Sequence, residues 1–331
     1  MRLLLVPPSI LYGFLMLARR WLYRRGWWSS YASPIPVISV GNLTVGGTGK
    51  TPCVELIARL LSHQGARVAI LSRGYGGYGG YDGRNDEALV LEENLPDVPH
   101  LQGIDRRQLL EIALDELESD VVILDDGFQH LRLSRSLDIV LIDATNPWGH
   151  GWVFPRGLLR EPRGALKDAD VVIITRSDQS TSKDVNDLQR WIHRRAPGAT
   201  VCQAVHEPVE WVHHSGETLP LSRWSGATAA AFCGIGNPAA FHTTLARLGV
   251  CMAHWRVFPD HHAYSREDVE QLSSWAAGLP TDGIVLTTQK DLVKLRVPEL
   301  GGRPLWALRV AFRVTEGYEA LLERLRGAVD A

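Results

Sequence analysis

The sequence predicts an α/β protein of two α/β/α domains joined by a β-hairpin linker, the larger domain built on a mostly parallel sheet and preceded by an amino-terminal apolar helix. Three observations predict it. After Pro34-Ile35-Pro36, short β-branched runs alternate with longer amphipathic segments, the pattern of parallel strands joined by crossover helices. The alternation breaks near Ala204 and resumes after a hairpin-like stretch. Residues 1–30 differ in composition from everything that follows. The expected divisions are 1–30, 31–205, 206–225 and 226–331. A chain of 331 residues, 45% hydrophobic and 22% charged, has room for two cores.

No Asp or Glu precedes Glu55, whereas Arg2, Arg19, Arg20, Arg24 and Arg25 make the amino terminus cationic. The uncharged run Leu3 to Ala18 is followed by arginines interleaved with Trp21, Tyr23, Trp27 and Trp28, a composition suited to a lipid interface. Spanning a bilayer takes about 20 apolar residues, and Pro7-Pro8 is expected to interrupt an already short run, so a helix lying in one leaflet is preferred. A helix packed on the protein's own core is the other reading. A cleaved signal peptide is disfavoured because arginine and tryptophan stand where a small-residue cleavage site belongs.

The strands expected in the larger domain are Val37–Val40, Val68–Leu71, Val121–Leu124, Ile139–Ile142 and Val171–Ile174, each apolar throughout as a strand covered on both faces must be. Its helices are expected at Thr51–Gln64, Arg106–Glu118 and Lys183–Arg195. Val209 to Leu221 reads as a hairpin turning at Ser215-Gly216. The second domain is expected to hold strands at Thr228–Cys233, Ile284–Thr287 and Leu305–Val310, with helices at Pro238–Leu248, Arg266–Ala277 and Glu316–Arg326. Cys53, Cys202, Cys233 and Cys251 form no CxxC pair, which fits a reducing compartment and buried thiols. A net charge of -2 argues against nucleic acid as a partner, and no obligate protein partner is evident.

Gly41 to Pro52 follows a strand and opens a helix. Within it, Thr44-Val45-Gly46-Gly47-Thr48-Gly49-Lys50-Thr51 reads as a phosphate-binding loop: glycines let consecutive amides turn toward a phosphate, Lys50 reaches the β- and γ-phosphates, and the Thr51 hydroxyl ligates magnesium. Thr44 replaces the first glycine of GxxxxGK[ST]. Val45 stands where partition-type ATPases carry a second lysine, which disfavours that subgroup. The larger domain is therefore expected to be P-loop NTPase-like, with Asp125 or Asp126, at a strand's carboxyl end, holding magnesium directly or through water. A turn or capping role for Asp126 stays open.

The chain resembles the tetraacyldisaccharide 4'-kinases of lipid A biosynthesis over nearly its whole length. The resemblance rests on Val40 to Pro52, Ser72-Arg73-Gly74-Tyr75-Gly76, Asp125-Asp126-Gly127-Phe128-Gln129-His130 and Pro155 to Pro162. It rests also on Gly234-Ile235-Gly236-Asn237-Pro238, Phe258-Pro259-Asp260-His261-His262 and Thr287-Thr288-Gln289-Lys290-Asp291. It implies transfer of the γ-phosphate of ATP, with Mg2+, to the 4'-hydroxyl of tetraacyldisaccharide 1-phosphate, a lipid A precursor, forming lipid IVA. It implies work at the cytoplasmic face of the bacterial inner membrane, with the lipid surface as a partner. By the same resemblance Asp86 takes the hydroxyl proton and a histidine of the second domain, preferably His261, orients it. Adjacent histidines point apart, so at most one of His261 and His262 faces the cleft.

Arg160, in a Pro/Gly-framed loop, suits stabilisation of the transferring group. Arg73, Glu161, Asn237, His262 and Lys290 are further substrate candidates. The family's Gly-Asp-Glu-Pro run appears here as Asn85-Asp86-Glu87-Ala88, which keeps the acidic pair and changes its flanks. Because the acceptor and nucleotide groups fall in different domains, closure is expected to assemble the site. The rival reading is a membrane-associated GTPase switch, with Thr175-Arg176-Ser177-Asp178 standing loosely for a guanine-reading [NT]KxD motif.

Overall fold

The computed structural model describes residues 2–74 and 85–330. The chain divides into two compact units that interleave in sequence. One comprises the described parts of Met1–Arg73, Leu95–His206 and Phe312–Ala331; the other comprises those of Gly74–Asn94 and Glu207–Ala311. Residues 85–94 thus pack with the second unit, and helix Tyr318–Val329 with the first. A linear division of the sequence puts both in the opposite unit.

In the first unit, strands β1 (Val37–Asn42), β2 (Val68–Ser72), β3 (His100–Gln102), β4 (Val121–Asp125), β5 (Leu137–Asp143), β6 (Val171–Thr175) and the first half of β7 (Thr200–Val212) run in the order β7-β6-β5-β1-β4-β2-β3. Every pairing is parallel. β1, β2, β4 and β6 are buried at every position, which explains why their sequences are apolar without alternation. The order turns back at β1, between β4 and β5, and opens a crevice at the carboxyl ends of these strands. Helices Lys50–His63, Arg106–Asp115, Ser182–Arg195 and Tyr318–Val329 complete the unit. Asp105 caps the second of these by accepting from the Arg107 and Gln108 amides, and Thr181 caps the third.

The first helix, Val6–Arg24, belongs to the same unit. Pro7 and Pro8 occupy its opening turn, where proline lacks only an amide that has no helical partner, so they start the helix rather than interrupting it. Ser9, Gly13 and Arg20 are its buried positions. The Ser9 hydroxyl donates to the Val153 carbonyl at 2.6 Å, and a Cβ on Gly13 would lie 3.3 Å from Val153. Its outer face is apolar and exposed, with Ile10, Leu11, Phe14, Leu15, Leu17 and Trp21 all open. By length and composition, Leu3–Arg24 suffices to cross a membrane.

The second unit pairs β9 (Thr228–Cys233), β10 (Cys251–Val257), β11 (Ile284–Thr288) and the greater part of β12 (Arg303–Glu316) in parallel, in the order β10-β9-β11-β12. β8 (Thr218–Pro220) returns antiparallel on the end of β7, which is the expected hairpin, with Gly216 at φ +85° in the turn. Helices Asp86–Asn94, Pro238–Arg247, Arg266–Ala276 and Gln289–Leu295 cover the sheet. One core gathers around Trp211, Leu245, Leu286 and Trp306, and another around Phe232, Leu272, Val285 and Leu305. Each such fully buried side chain contributes about 1.5–3 kcal/mol.

Candidate functional site

The glycine loop joins β1 to helix Lys50–His63 at the sheet's turning point. Gly46 (φ +120°) and Gly49 (φ +90°) hold backbone conformations that side-chain-bearing residues rarely adopt. Around the loop stands a frame of hydrogen bonds. Asn42 Nδ2 donates to Thr48 Oγ1 at 2.9 Å, the Thr175 hydroxyl donates to the Thr48 carbonyl at 3.0 Å, and Arg176 donates to the Gly47 carbonyl at 2.7 Å. Arg176 is itself paired with Asp143. The segment proposed as a guanine reader therefore braces the phosphate loop from behind.

Thr44 and Val45 do a different job from the glycines. Thr44 forms an isolated bridge with Leu159, and the Val45 amide donates to the Leu158 carbonyl at 2.6 Å, so both residues fasten the loop to the 149–162 segment. The missing first glycine is thereby explained: this position pairs with a neighbouring chain and needs no left-handed backbone.

Asp125 ends β4, and Asp126 follows at φ +57°. That turn aims the Asp126 carboxylate at two cations. Lys50 Nζ lies 3.6 Å from Oδ1, and Arg160 donates to Oδ2 at 2.5 Å. Lys50, Asp126 and Arg160 thus meet at the glycine loop, and Thr51 and Asp125, their neighbours in sequence, lie in the same unit. Their donors suit a hard cation, since magnesium takes one or two carboxylates together with hydroxyl, water and phosphate oxygens. Among the described residues no cluster of three His, Cys, Asp or Glu side chains offers a softer metal a site.

In the second unit His261 Nδ1 lies 3.0 Å from each oxygen of Asp86, whose side chain is 5% exposed. Burial pushes the Asp86 carboxyl up, but the His261 hydrogen bond and the charges of Lys290, His261 and Lys294 outweigh it and hold the group at about 2. The Asp86 hydrogen bond raises His261 above its usual 6.5, against the opposing effect of its own partial burial. His262 turns elsewhere: its Nε2 lies 3.1 Å from Asp268 and its ring stacks on Phe258.

The other expected substrate contacts have structural partners. Glu161 is wholly buried and accepts twice from Arg20, at 2.6 and 3.0 Å, so its carboxylate is committed to the first helix rather than to a ligand. Asn237 caps helix Pro238–Arg247 by accepting from the Ala240 amide. Lys290 pairs with Glu87 at 2.8 Å, beside Asp86 in the chain. Arg73 is exposed at the end of β2, while Tyr75 and Gly76 of its motif lie outside the described residues.

His206 carries no signal in the sequence, yet its ring fills the space where a Gly49 side chain would go. A Cβ there would come within 2.2 Å of Nε2. Burial and the Arg176 charge push this imidazole down to about 3, so it packs against the loop as a neutral ring.

The family model for tetraacyldisaccharide-1-P 4'-kinase matches residues 1–327. The chain belongs to this family. It is 38% identical to the tetraacyldisaccharide 4'-kinase of Syntrophus aciditrophicus, over 94% of this chain and 89% of that one. It is 41% identical to the protein of the same name from Geobacter metallireducens, over 88% of each chain. A crystal structure of the "apo" form of LpxK from Aquifex aeolicus in complex with ATP superposes with a TM-score of 0.77 at 30% identity, covering 99% of both chains.

Proposed function

We propose that this chain transfers the γ-phosphoryl group of ATP to the 4'-hydroxyl of tetraacyldisaccharide 1-phosphate, forming lipid IVA at the cytoplasmic face of the inner membrane. The observation that carries the reading is the gathering of Lys50, Arg160 and Asp126 at a glycine loop on the carboxyl edge of a parallel sheet. Phosphoryl transfer needs placement and charge neutralisation more than covalent chemistry, and this constellation supplies both. The loop amides and Lys50 hold the β- and γ-phosphates. Arg160 offers a planar fork to the oxygens over which charge spreads in transfer.

Thr51, with Asp125 or Asp126, would hold Mg2+, which when bound neutralises phosphate charge and orients the terminal group. Asp86 accepts the proton of the 4'-hydroxyl. A carboxylate held at about 2 is a weak base, and His261 governs that weakness. While the imidazole is protonated it stabilises the charged carboxylate; once it deprotonates, Asp86 becomes more basic. The nucleotide groups belong to one unit and this pair to the other.

The exposed apolar face of the first helix, flanked by Arg24, Arg25, Trp27 and Trp28, supports residence in one leaflet, where the acylated substrate is held. The test is incubation of the purified chain with labelled ATP and tetraacyldisaccharide 1-phosphate, with Lys50→Ala as control. Label must appear on the lipid and vanish with Lys50→Ala; release of free phosphate with no labelled lipid refutes the reading.

A further inference from the structure

Arg20 is the most connected side chain of the first helix, and it faces away from the apolar surface just described. Its side chain is 6% exposed and that of Glu161 is 0% exposed. The guanidinium donates through Nε and Nη2 to one Glu161 oxygen, at 3.0 and 2.6 Å, and through Nη1 to Asp168 at 2.8 Å. Nη2 also donates to the Phe128 carbonyl at 3.1 Å, and the guanidinium lies 4.3 Å from the centre of the Phe128 ring.

Two short pieces of chain therefore meet on one arginine. The first is Asp125-Asp126-Gly127-Phe128, which presents the aspartate pair. The second is Arg160-Glu161, where Arg160 donates to Asp126 at 2.5 Å and its amide donates to the Leu43 carbonyl at 2.7 Å, at the start of the glycine loop. Arg160 adjoins Glu161 in the chain and Asp126 stands two residues before Phe128, so each lies one or two residues from an atom that Arg20 holds. Breaking a buried pair of this kind leaves an uncompensated charge, so the clamp has one stable arrangement.

We propose that Arg20 is a positioning residue for phosphoryl transfer: clamped to Glu161 and Phe128, it sets the Arg160 guanidinium and the Asp126 turn at the phosphate loop, and so ties the seat of the first helix to turnover. The inference rests on the reading that Arg160 acts on the transferring group. It predicts that an enzyme whose first helix is displaced binds ATP but turns over slowly.

The experiment compares the full-length wild type with Arg20→Lys, Glu161→Gln, Arg160→Ala and the Arg20→Lys/Arg160→Ala double variant in mixed micelles, reading kcat and the KM of each substrate. Partition onto anionic phospholipid vesicles and thermal midpoint are measured alongside. Arg20→Lys keeps the charge and loses the fork. The expected result is a kcat at least ten-fold lower for Arg20→Lys and for Glu161→Gln, with the KM for ATP within two-fold and vesicle partition unchanged. In the Arg160→Ala background, Arg20→Lys should cost less than two-fold further, because it acts through Arg160. An unchanged kcat, an equal loss in both backgrounds, or a loss that follows vesicle partition overturns the proposal. A near wild-type kcat for Arg160→Ala refutes instead the role given to Arg160.

Discussion

Replacing Gly49 with alanine should destabilise the nucleotide-binding unit and weaken ATP binding together. The added Cβ would lie 2.2 Å from His206 Nε2 and 2.6 Å from Cε1, against an ordinary contact of 3.4 Å, so the ring must retreat by 1.2 Å. That retreat is opposed by Phe312, whose ring packs edge-on against His206 at 5.7 Å. Overpacking of this kind costs about 1–3 kcal/mol. The backbone adds about 1–2 kcal/mol, because φ is +90°. The sum is about 2–5 kcal/mol, and at about 2 °C per kcal/mol for a unit of roughly 200 residues the thermal midpoint should fall by about 4–10 °C. Gly47→Ala is the control: its φ is not positive and a Cβ there meets nothing within 4 Å, so its midpoint should move by less than about 1 °C. The assay is tryptophan fluorescence against temperature in detergent, followed by titration with a fluorescent ATP analogue. Equal midpoints for the two variants would refute the steric argument.

Four further outcomes follow, three from the Asp86–His261 pair and one from the first helix. Asp86→Ala should lower kcat by about 10²–10⁴-fold while ATP affinity stays near wild type, and loss of ATP binding would instead put Asp86 on the nucleotide. The rate should rise with pH through an apparent pKa above 6.5, because the raised His261 must deprotonate before Asp86 gains basicity; a flat profile between pH 5.5 and 8.5 would contradict this. Asp86 also bears on stability, with the sign of a depressed carboxylate. A shift from 3.8 to about 2 contributes on the order of 2 kcal/mol above pH 4, lost as pH falls toward 2, and Asp86→Asn should flatten the acid limb of a urea-midpoint profile. Phe14→Asp combined with Leu15→Asp should reduce partition onto anionic vesicles at least ten-fold without changing the thermal midpoint, since both side chains are exposed.

The parallel strands were legible because strands covered on both faces leave unbroken apolar runs, and β1, β2, β4 and β6 extend at most two residues beyond the expected bounds. Helix Asp86–Asn94 was not legible. It spans only nine residues, and its start depends on Asn85 accepting from the Ala88 amide rather than on any long apolar period. β10 was missed for a related reason: its residues alternate irregularly and most are exposed. At the site, Lys50, Thr51 and the aspartate pair were readable from local spacing. The burial of Glu161 was not, because its partner Arg20 stands 141 residues away, and a lone His206 carries no local sign that Gly49 will approach it.

The interleaving of the two units has a consequence for how the protein is made. The nucleotide-binding unit includes Phe312–Ala331, which follows the whole of the second unit in sequence and in which Leu321 and Leu325 are fully buried. During synthesis the glycine loop leaves the ribosome long before Leu321 and Leu325, so this unit cannot complete its core until those side chains have emerged. Competence to bind ATP therefore waits on a segment far along the chain from the loop that grips the nucleotide.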